Sequence, residues 1–349
     1  MGMKLLERID KLSKIGLTDK GICRSSGSKE DQEARDLVVR WMVEDGLRVH
    51  NDQYGNIIGR LDGRGSPIVT GSHIDTVSTS GKYDGVLGVL SGLEAARTLK
   101  GSLTSPLEVV VFDDEEDTMR GSIGYSKSRS NIKSFLEVHV EQGPVLDVQG
   151  LDIGVVTGIV GQRRCSFSIL GKENHAGTTP MNMRDDALVR ASELVVFVND
   201  YANEMFDGLV ATVGKLDVSP NQFSVIPGRV DLTLQIRDLS VDNMESFAEK
   251  VAESFGLSYK MSHSSEPAIC DEEIKDTIRT VSQDLNLKCI DMPSRASHDA
   301  QNFTFCPMGM IFVPSIGGIS HSPLERTSDK HCQDGARVLT EVIRKIDKT

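Results

Sequence analysis

The sequence predicts an open α/β sheet with helices on its faces, interrupted by a smaller strand-rich α+β insert. Two observations carry this. Apolar runs of strand length alternate with helical stretches over residues 1–159 and again over 271–349. Between them, over 160–270, the pattern is strand-rich, and the stretch 229–237 alternates apolar and polar side chains, as a half-exposed antiparallel strand does. A chain of 349 residues has room for two or three domains at about 100–200 residues each.

Taken in order, residues 28–46 read as a helix. Ser28 and Asp31 resemble a capping box, Ala34, Leu37, Val38, Trp41 and Met42 form an apolar stripe, and Gly46 is a natural stop. Strands are predicted at 55–59, 67–70, 107–112 and 136–140, with a helix at 86–99. In the insert, strands are predicted at 163–170, 209–218 and 229–237, and helices at 182–205 and 241–255. Val230, Leu232, Leu234 and Ile236 give the third of these strands its period of two. The chain then returns to its first style, with a helix at 273–286, a strand at 310–314 and a final helix at 331–347.

Composition narrows the function. Lys and Arg total 39 against 51 Asp and Glu, a net charge of −12. An acidic chain repels a phosphate backbone, which speaks against a nucleic-acid partner. A small anionic substrate would need a local cation to hold it. The six cysteines, at 23, 165, 270, 289, 306 and 332, include no CxxC pair, which fits buried thiols in a reducing compartment. No apolar leader segment and no apolar run of membrane-spanning length occurs, so a soluble, cytoplasmic protein is expected, with no membrane partner.

Five short segments carry chemistry. His73 follows a strand, in Gly71-Ser72-His73-Ile74-Asp75. A histidine there is commonly structural, but Asp75 is placed to orient the ring, as carboxylates do around metal-bound histidines. Asp84, in Tyr83-Asp84-Gly85, could simply cap a helix. The flexible stretch 78–81 before it could also wrap it back toward His73. The run Asp113–Asp117 directly follows a fully apolar strand and so falls at the sheet's carboxyl edge. Packed acids repel there unless a cation or shared proton is present. Of the adjacent Glu115 and Glu116, one can bind a metal while the other serves as base. In Glu137-Val138-His139-Val140-Glu141, alternate residues share a face, which sets His139 among carboxylates. His321 sits in another loop after a strand.

HExxH is absent, so no helix-borne zinc-protease site is present. His73, Asp84, Glu116, His139 and His321 form a mixed nitrogen–oxygen donor set suited to Zn²⁺, Mn²⁺, Co²⁺ or Ni²⁺. Five ligands exceed one open tetrahedral site. They suit two ions about 3.5–4 Å apart sharing a carboxylate, an arrangement that generates hydroxide near neutral pH.

The motifs GSHIDTV, YDG, DEE, HVEQGP, NHAGTTPMNMRDDAL, SVIPGRV, SHDAQ and GISHSP occur in this order between residues 71 and 323, and the resemblance they carry runs from about residue 24 to 345. They resemble the amidase (hydantoinase/carbamoylase) branch of the metal-dependent aminoacylase/carboxypeptidase family. The resemblance implies a zinc-aminopeptidase-like catalytic domain with an inserted ferredoxin-like lid and dimerisation domain. It implies hydrolysis of a linear C–N bond in a small carboxylate-bearing carbamoyl or ureido compound, an N-carbamoyl-L-amino acid or allantoate, with ammonia release. His73, Asp84 and His139 would hold one ion; Asp84, Glu116 and His321 would hold the other. Glu115 matches the general base, Asp75 the carboxylate orienting His73, and His175 the oxyanion-stabilising histidine of the lid. Gln142, His175, Ser224, Arg237 and His298 match substrate contacts, with Arg237 gripping the carboxylate. A homodimer through the lid is implied.

Four positions depart from the pattern. Ser224 stands where members usually have Asn, Asp117 where they have Gly, and Arg295 and Ser297 replace glycines beside His298. The first bears on specificity, and the last two bear on the width and charge of the pocket. None removes a metal ligand or the base. An aminoacylase or dipeptidase of the wider family is the nearest alternative, and HVEQGP argues against it. A catalytically inactive binding protein would have lost a ligand or Glu115. A nucleotide-binding fold would show GxGxxG after a strand, or GxxxxGK[ST], and neither occurs.

Overall fold

The structure is a computed structural model that describes residues 3–348. Helix α1 (Met3–Leu12) buries Leu5, Ile9 and Leu12 on one stripe. Helix α2 (Lys29–Glu44) is capped by Ser28, whose hydroxyl accepts the Asp31 N–H. The reciprocal half of the expected capping box differs: the Asp31 carboxylate accepts from Gly27 N, not from Ser28. Strands β1 (Arg48–Asn51), β2 (Ile57–Leu61) and β3 (Ile68–His73) follow. Helix α3 (Val86–Leu99) is apolar nearly all round and accordingly buried nearly all round. Next come β4 (Leu107–Phe112), α4 (Arg120–Ser128), β5 (Ser134–Val140), the short α5 (Val145–Gln149) and β6 (Ile153–Ile159).

The chain from Val160 to Ala268 forms a second compact unit; the residues before and after it form the first. The second unit holds β7 (Gly161–Leu170), α6 (Ala187–Met205), β8 (Val210–Ser219), β9 (Arg229–Asp238), α7 (Val241–Phe255) and β10 (Tyr259–Ser265). These run β–α–β–β–α–β into an antiparallel sheet of order β8-β9-β7-β10, the ferredoxin-like arrangement. Its core is the inward face of β7 and β9 (Cys165, Phe167, Val230, Leu232, Leu234) against Leu194, Phe247 and Val251 of the helices.

The first unit resumes with α8 (Glu272–Asp284), β11 (Cys289–Ser294), β12 (Met308–Val313) and α9 (Asp329–Ile346). Its mixed sheet runs β6-β12-β5-β3-β4-β2-β1, with β11 also on β6. At the centre, β12, β5, β3 and β4 are mutually parallel, so their carboxyl ends share one edge. The register sets Phe312 beside His139 and Phe112 beside His73. The four loops that leave that edge carry the segments singled out above. Helices α1, α3 and α9 pack with the sheet into one apolar core.

Most predicted elements stand within a few residues of their expected ends. The helix expected from 182 begins only at Ala187, where Asp186 caps it, and is preceded by a turn of 3₁₀ helix at Met181–Met183. Seven of the labelled elements were not expected: α1, α4, α5, β1, β6, β10 and β11.

Candidate metal centre

His73 ends β3 and is buried. Its Nδ1 lies 3.0 Å from the main-chain carbonyl of Asp75, while the Asp75 carboxylate is 3.6 Å away. The carbonyl is the nearer partner and places the ring proton on Nδ1. The Asp75 carboxylate has another task, accepting the N–H groups of Glu115 and Glu116 at 3.4 and 3.2 Å. It thereby fixes the acidic turn against the His73 loop. His139 on β5 repeats the pattern, with Nδ1 2.9 Å from the carbonyl of Val140. Both rings therefore turn Nε2 toward Asp84, at 3.8 Å from His73 and 3.1 Å from His139.

Asp84 joins two groups. Its Oδ1 faces His73 and His139, and its Oδ2 lies 3.3 Å from His321 Nε2. Glu116 Oε2 is 3.5 Å from the same His321 nitrogen. Within each of the sets His73–Asp84–His139 and Asp84–Glu116–His321, the donor atoms lie within 4.8 Å of one another. Glu115 stands beside them, its Oε2 3.5 Å from His73 Nε2. The stretch 78–81 does not swing freely: Ser80 pairs its main chain with Ile22, which pins the approach to Asp84.

The acidic run sorts by position. Asp113 is held by Arg35 and Arg120. Asp114 adopts φ 61° and closes a turn through its carbonyl to Thr118 and Met119. Only Glu115 and Glu116 face the two histidine groups, and Asp117 is exposed. Along β5, Glu137 lies beneath the site, accepting from Ser72 Oγ at 2.7 Å and Ala300 N at 2.9 Å. Glu141 instead caps α5 through Val145 and Leu146. Gln142, with φ 60°, donates to Asp84 Oδ2 at 2.8 Å, and Ser320 Oγ donates to the same oxygen at 3.0 Å. Among the described residues outside glycine, Asp114, Gln142 and His321 are three of the six with positive φ, so backbone strain gathers around the site.

The protein's own charges are far from neutral balance here. Burial pushes the Glu115 carboxyl well above the usual range, more than the nearby His73 offsets. Burial alone would raise Asp84 too, but hydrogen bonds from His139 and His321 hold it well below. Burial would lower His73, yet the Glu115 and Asp75 charges drive it well above an ordinary imidazole. Divalent cations fit this donor set, on three observations. The Nε2 atoms of His73 and His139 are turned inward, and Glu116 Oε1 is buried without a hydrogen-bond partner. A Cβ on Gly85, whose φ is 64°, would overlap His73 Nε2, so only glycine leaves that space open.

His298 is buried and packs edge-to-face on His139, ring centroids 4.5 Å apart. Ser294 Oγ donates to the carbonyl of Ala296, so it accepts from His298 Nε2, 2.8 Å away. Burial first, then the His139 charge, keeps this ring neutral. The neighbouring Arg295 and Ser297 are exposed.

Three expected site residues belong to the second unit. His175 lies on a short ribbon, paired with Val225, and Ala176 N donates to the Ser224 carbonyl at 2.9 Å. The ribbon thus brings His175 and Ser224 together. His175 Nδ1 accepts from Gly177 N and Thr178 N, which leaves the ring proton on Nε2. Arg237 is half-buried on β9, and burial together with neighbouring Arg164 lowers its pKa.

The sequence profile described as peptidase family M20/M25/M40 matches residues 69–345. The chain belongs to this family. Among its relatives within and around the family, the chain is 33% identical to the N-carbamoyl-L-amino acid amidohydrolase of Geobacillus stearothermophilus, over 98% of each chain. It is 34% identical to the allantoate amidohydrolase of Bacillus subtilis (strain 168), over 98% of this chain and 97% of the relative. A solved amidase of the hydantoinase/carbamoylase family from Burkholderia multivorans superimposes with a TM-score of 0.90 at 31% identity, covering 99% of this chain and 98% of that one. As a member of family M20/M25/M40, the protein has the catalytic fold with a ferredoxin-like insert that the sequence predicted.

Sequence reading assigned no role to Ser72, Ser320 or Glu325. Ser72 Oγ donates to Glu137, Ser320 Oγ donates to Asp84, and Glu325 accepts the Tyr83 N–H, contacts that depend on the fold and leave no signal in the local sequence.

Proposed function

We propose that the protein is a two-metal amidohydrolase that cleaves a linear C–N bond of a small carbamoyl or ureido compound bearing a carboxylate, releasing ammonia. Asp84 carries the reading, because its two oxygens address two separate histidine groups. His73, Asp84 and His139 would hold one ion, and Asp84, Glu116 and His321 the other, with Zn²⁺ or Mn²⁺ the first candidates and Co²⁺ or Ni²⁺ also suited. When bound, such ions supply Lewis acidity that acidifies water and polarises a carbonyl.

The side chains do the rest. Glu115, beside His73, removes a proton from the attacking water and returns it to the leaving nitrogen. Asp75 holds Glu115 in place through the turn. His175, with its proton on Nε2, donates to the substrate's carbonyl oxygen as charge builds there. Arg237 binds the carboxylate. Gln142, Ser224 and His298 are assigned to substrate contact, Gln142 once it leaves Asp84. An N-carbamoyl amino acid would give the amino acid, ammonia and CO₂.

The unit Val160–Ala268 is assigned as lid and dimerisation domain, and closure would exclude water. No helix among the described residues is long and apolar enough to cross a membrane, in keeping with a proposed cytoplasmic location.

The reading is tested by ammonia release from allantoate, N-carbamoyl-L-amino acids, β-ureidopropionate and ureidoglycolate, each with Zn²⁺, Mn²⁺ and Co²⁺. Release from at least one is expected. Cleavage of N-acyl amino acids or dipeptides without ammonia would favour the aminoacylase alternative instead.

A further inference from the structure

We propose that Glu325 is a positioning residue for the metal centre: its buried carboxylate grips the main chain at Asp84 and fixes that shared ligand relative to His321. The inference rests on the two-ion reading above. Glu325 is 4% exposed. Its carboxylate accepts the Tyr83 N–H at 2.9 Å, a contact spanning 242 positions of sequence, and the Asp84 N–H also points to it. Tyr83 and Asp84 lead into α3, whose first turn has no side-chain cap because Gly85 stands at the capping position. A carboxylate from elsewhere in the chain therefore takes the place a local cap would fill, near the positive end of the helix.

The approach is close. A Cβ on Gly81 would overlap Glu325 Oε2 and Cβ, so a glycine is required opposite this carboxylate. At its other end, Glu325 is tied to His321 by a tight turn. Glu325 N donates to the Ser322 carbonyl at 3.0 Å, and Leu324 N donates to Ser322 Oγ at 3.2 Å. One side chain thus couples the two chain segments whose ligands, His321 Nε2 and Asp84 Oδ2, stand 3.3 Å apart. Without it, the main chain at Asp84 loses this anchor, the Ser320 hydroxyl on Asp84 Oδ2 remains as a side-chain link between the segments, and the second ion's pair of ligands is less well preorganised.

The test is a Co²⁺ titration of the metal-stripped full chain, followed by visible absorption, for wild type, Glu325→Ala, Glu325→Gln and Gly81→Ala. Wild type should bind two ions. Glu325→Ala should weaken one of them by about 10–100-fold, as loss of an outer partner of a ligand does, and change its absorption band. kcat should fall with little change in KM. Glu325→Gln, which keeps an acceptor oxygen, should recover most of the affinity. If Glu325→Ala does not fold, Gly81→Ala decides the question, because it displaces the same carboxylate and should weaken the same ion. Two ions bound with wild-type affinity and spectrum in the folded variants would overturn the role of Glu325 alone. Fewer than two ions bound by wild type would overturn the two-ion reading beneath it.

Discussion

Glu115 and Arg237 carry the most specific consequences of the proposed chemistry. Glu115→Gln keeps the volume and removes the base. Its kcat should drop by about 10²–10⁴-fold while calorimetric metal binding stays near wild type. Turnover within a factor of ten would take the general-base role away from Glu115. Arg237→Ala should raise KM for carboxylate substrates by roughly 10-fold or more, the worth of a charged hydrogen bond, with a smaller change in kcat. An unchanged KM would mean the anion is held elsewhere. At this scale, short motifs singled out His73, Asp84, Glu116, His139 and His321, and the fold brings their side chains together. It did not reveal the partners that hold them. The nearest acceptor for the His73 ring is a main-chain carbonyl, which no side-chain pattern reports. Glu325 meets Tyr83 across 242 positions of sequence, and from sequence an acid in a polar loop reads as solvated.

Among the elements, the junction of α1 and α2 gives a pH-dependent prediction. Asp45 caps α2 and pairs with Arg8 at 2.5 Å and Lys4 at 2.7 Å, with Arg8 also stacked over Trp41. Burial alone would raise the Asp45 pKa; the hydrogen bonds from Arg8 and Lys4 outweigh it and depress it. A depressed carboxylate contributes fully above its unfolded pKa of about 3.9, and the contribution disappears as pH falls through the lower folded value. Asp45→Asn should therefore cost about 3 kcal/mol in urea unfolding at pH 7, leaving buried Arg8 uncompensated. The gap to wild type should narrow below about pH 4. A gap independent of pH would assign the loss to packing. On α9, Cys332, Ala336, Leu339 and Ile343 form the buried stripe, and Leu339→Ala should cost about 2–5 kcal/mol.

The elements that escaped sequence reading have physical reasons. In α1 the frequent charges obscured a stripe of Leu5, Ile9 and Leu12. Strand β6 contains two glycines, and β11 contains Pro293. Strand β10 is an edge strand, almost wholly exposed, so it shows no alternation.

Bound metal should stabilise the chain as a whole. Ions that bind only the folded chain add RT ln(1 + [L]/Kd), about 2.7 kcal/mol at a hundredfold excess over Kd. Chelation should lower Tm and abolish ammonia release, and restoring Zn²⁺ or Mn²⁺ should recover both; an unmoved Tm would separate the metal from the folded state. The proposed homodimer is checked by sedimentation of the full chain, where a mass near 38.1 kDa at all concentrations would contradict it. The most direct measurement is anomalous diffraction at the metal edge from crystals of the loaded protein. Two peaks are expected, one within about 2.0–2.2 Å of His73 Nε2, His139 Nε2 and an Asp84 oxygen, the other equally close to Asp84, Glu116 and His321. A single peak, or none touching Asp84, would contradict a carboxylate shared between two ions.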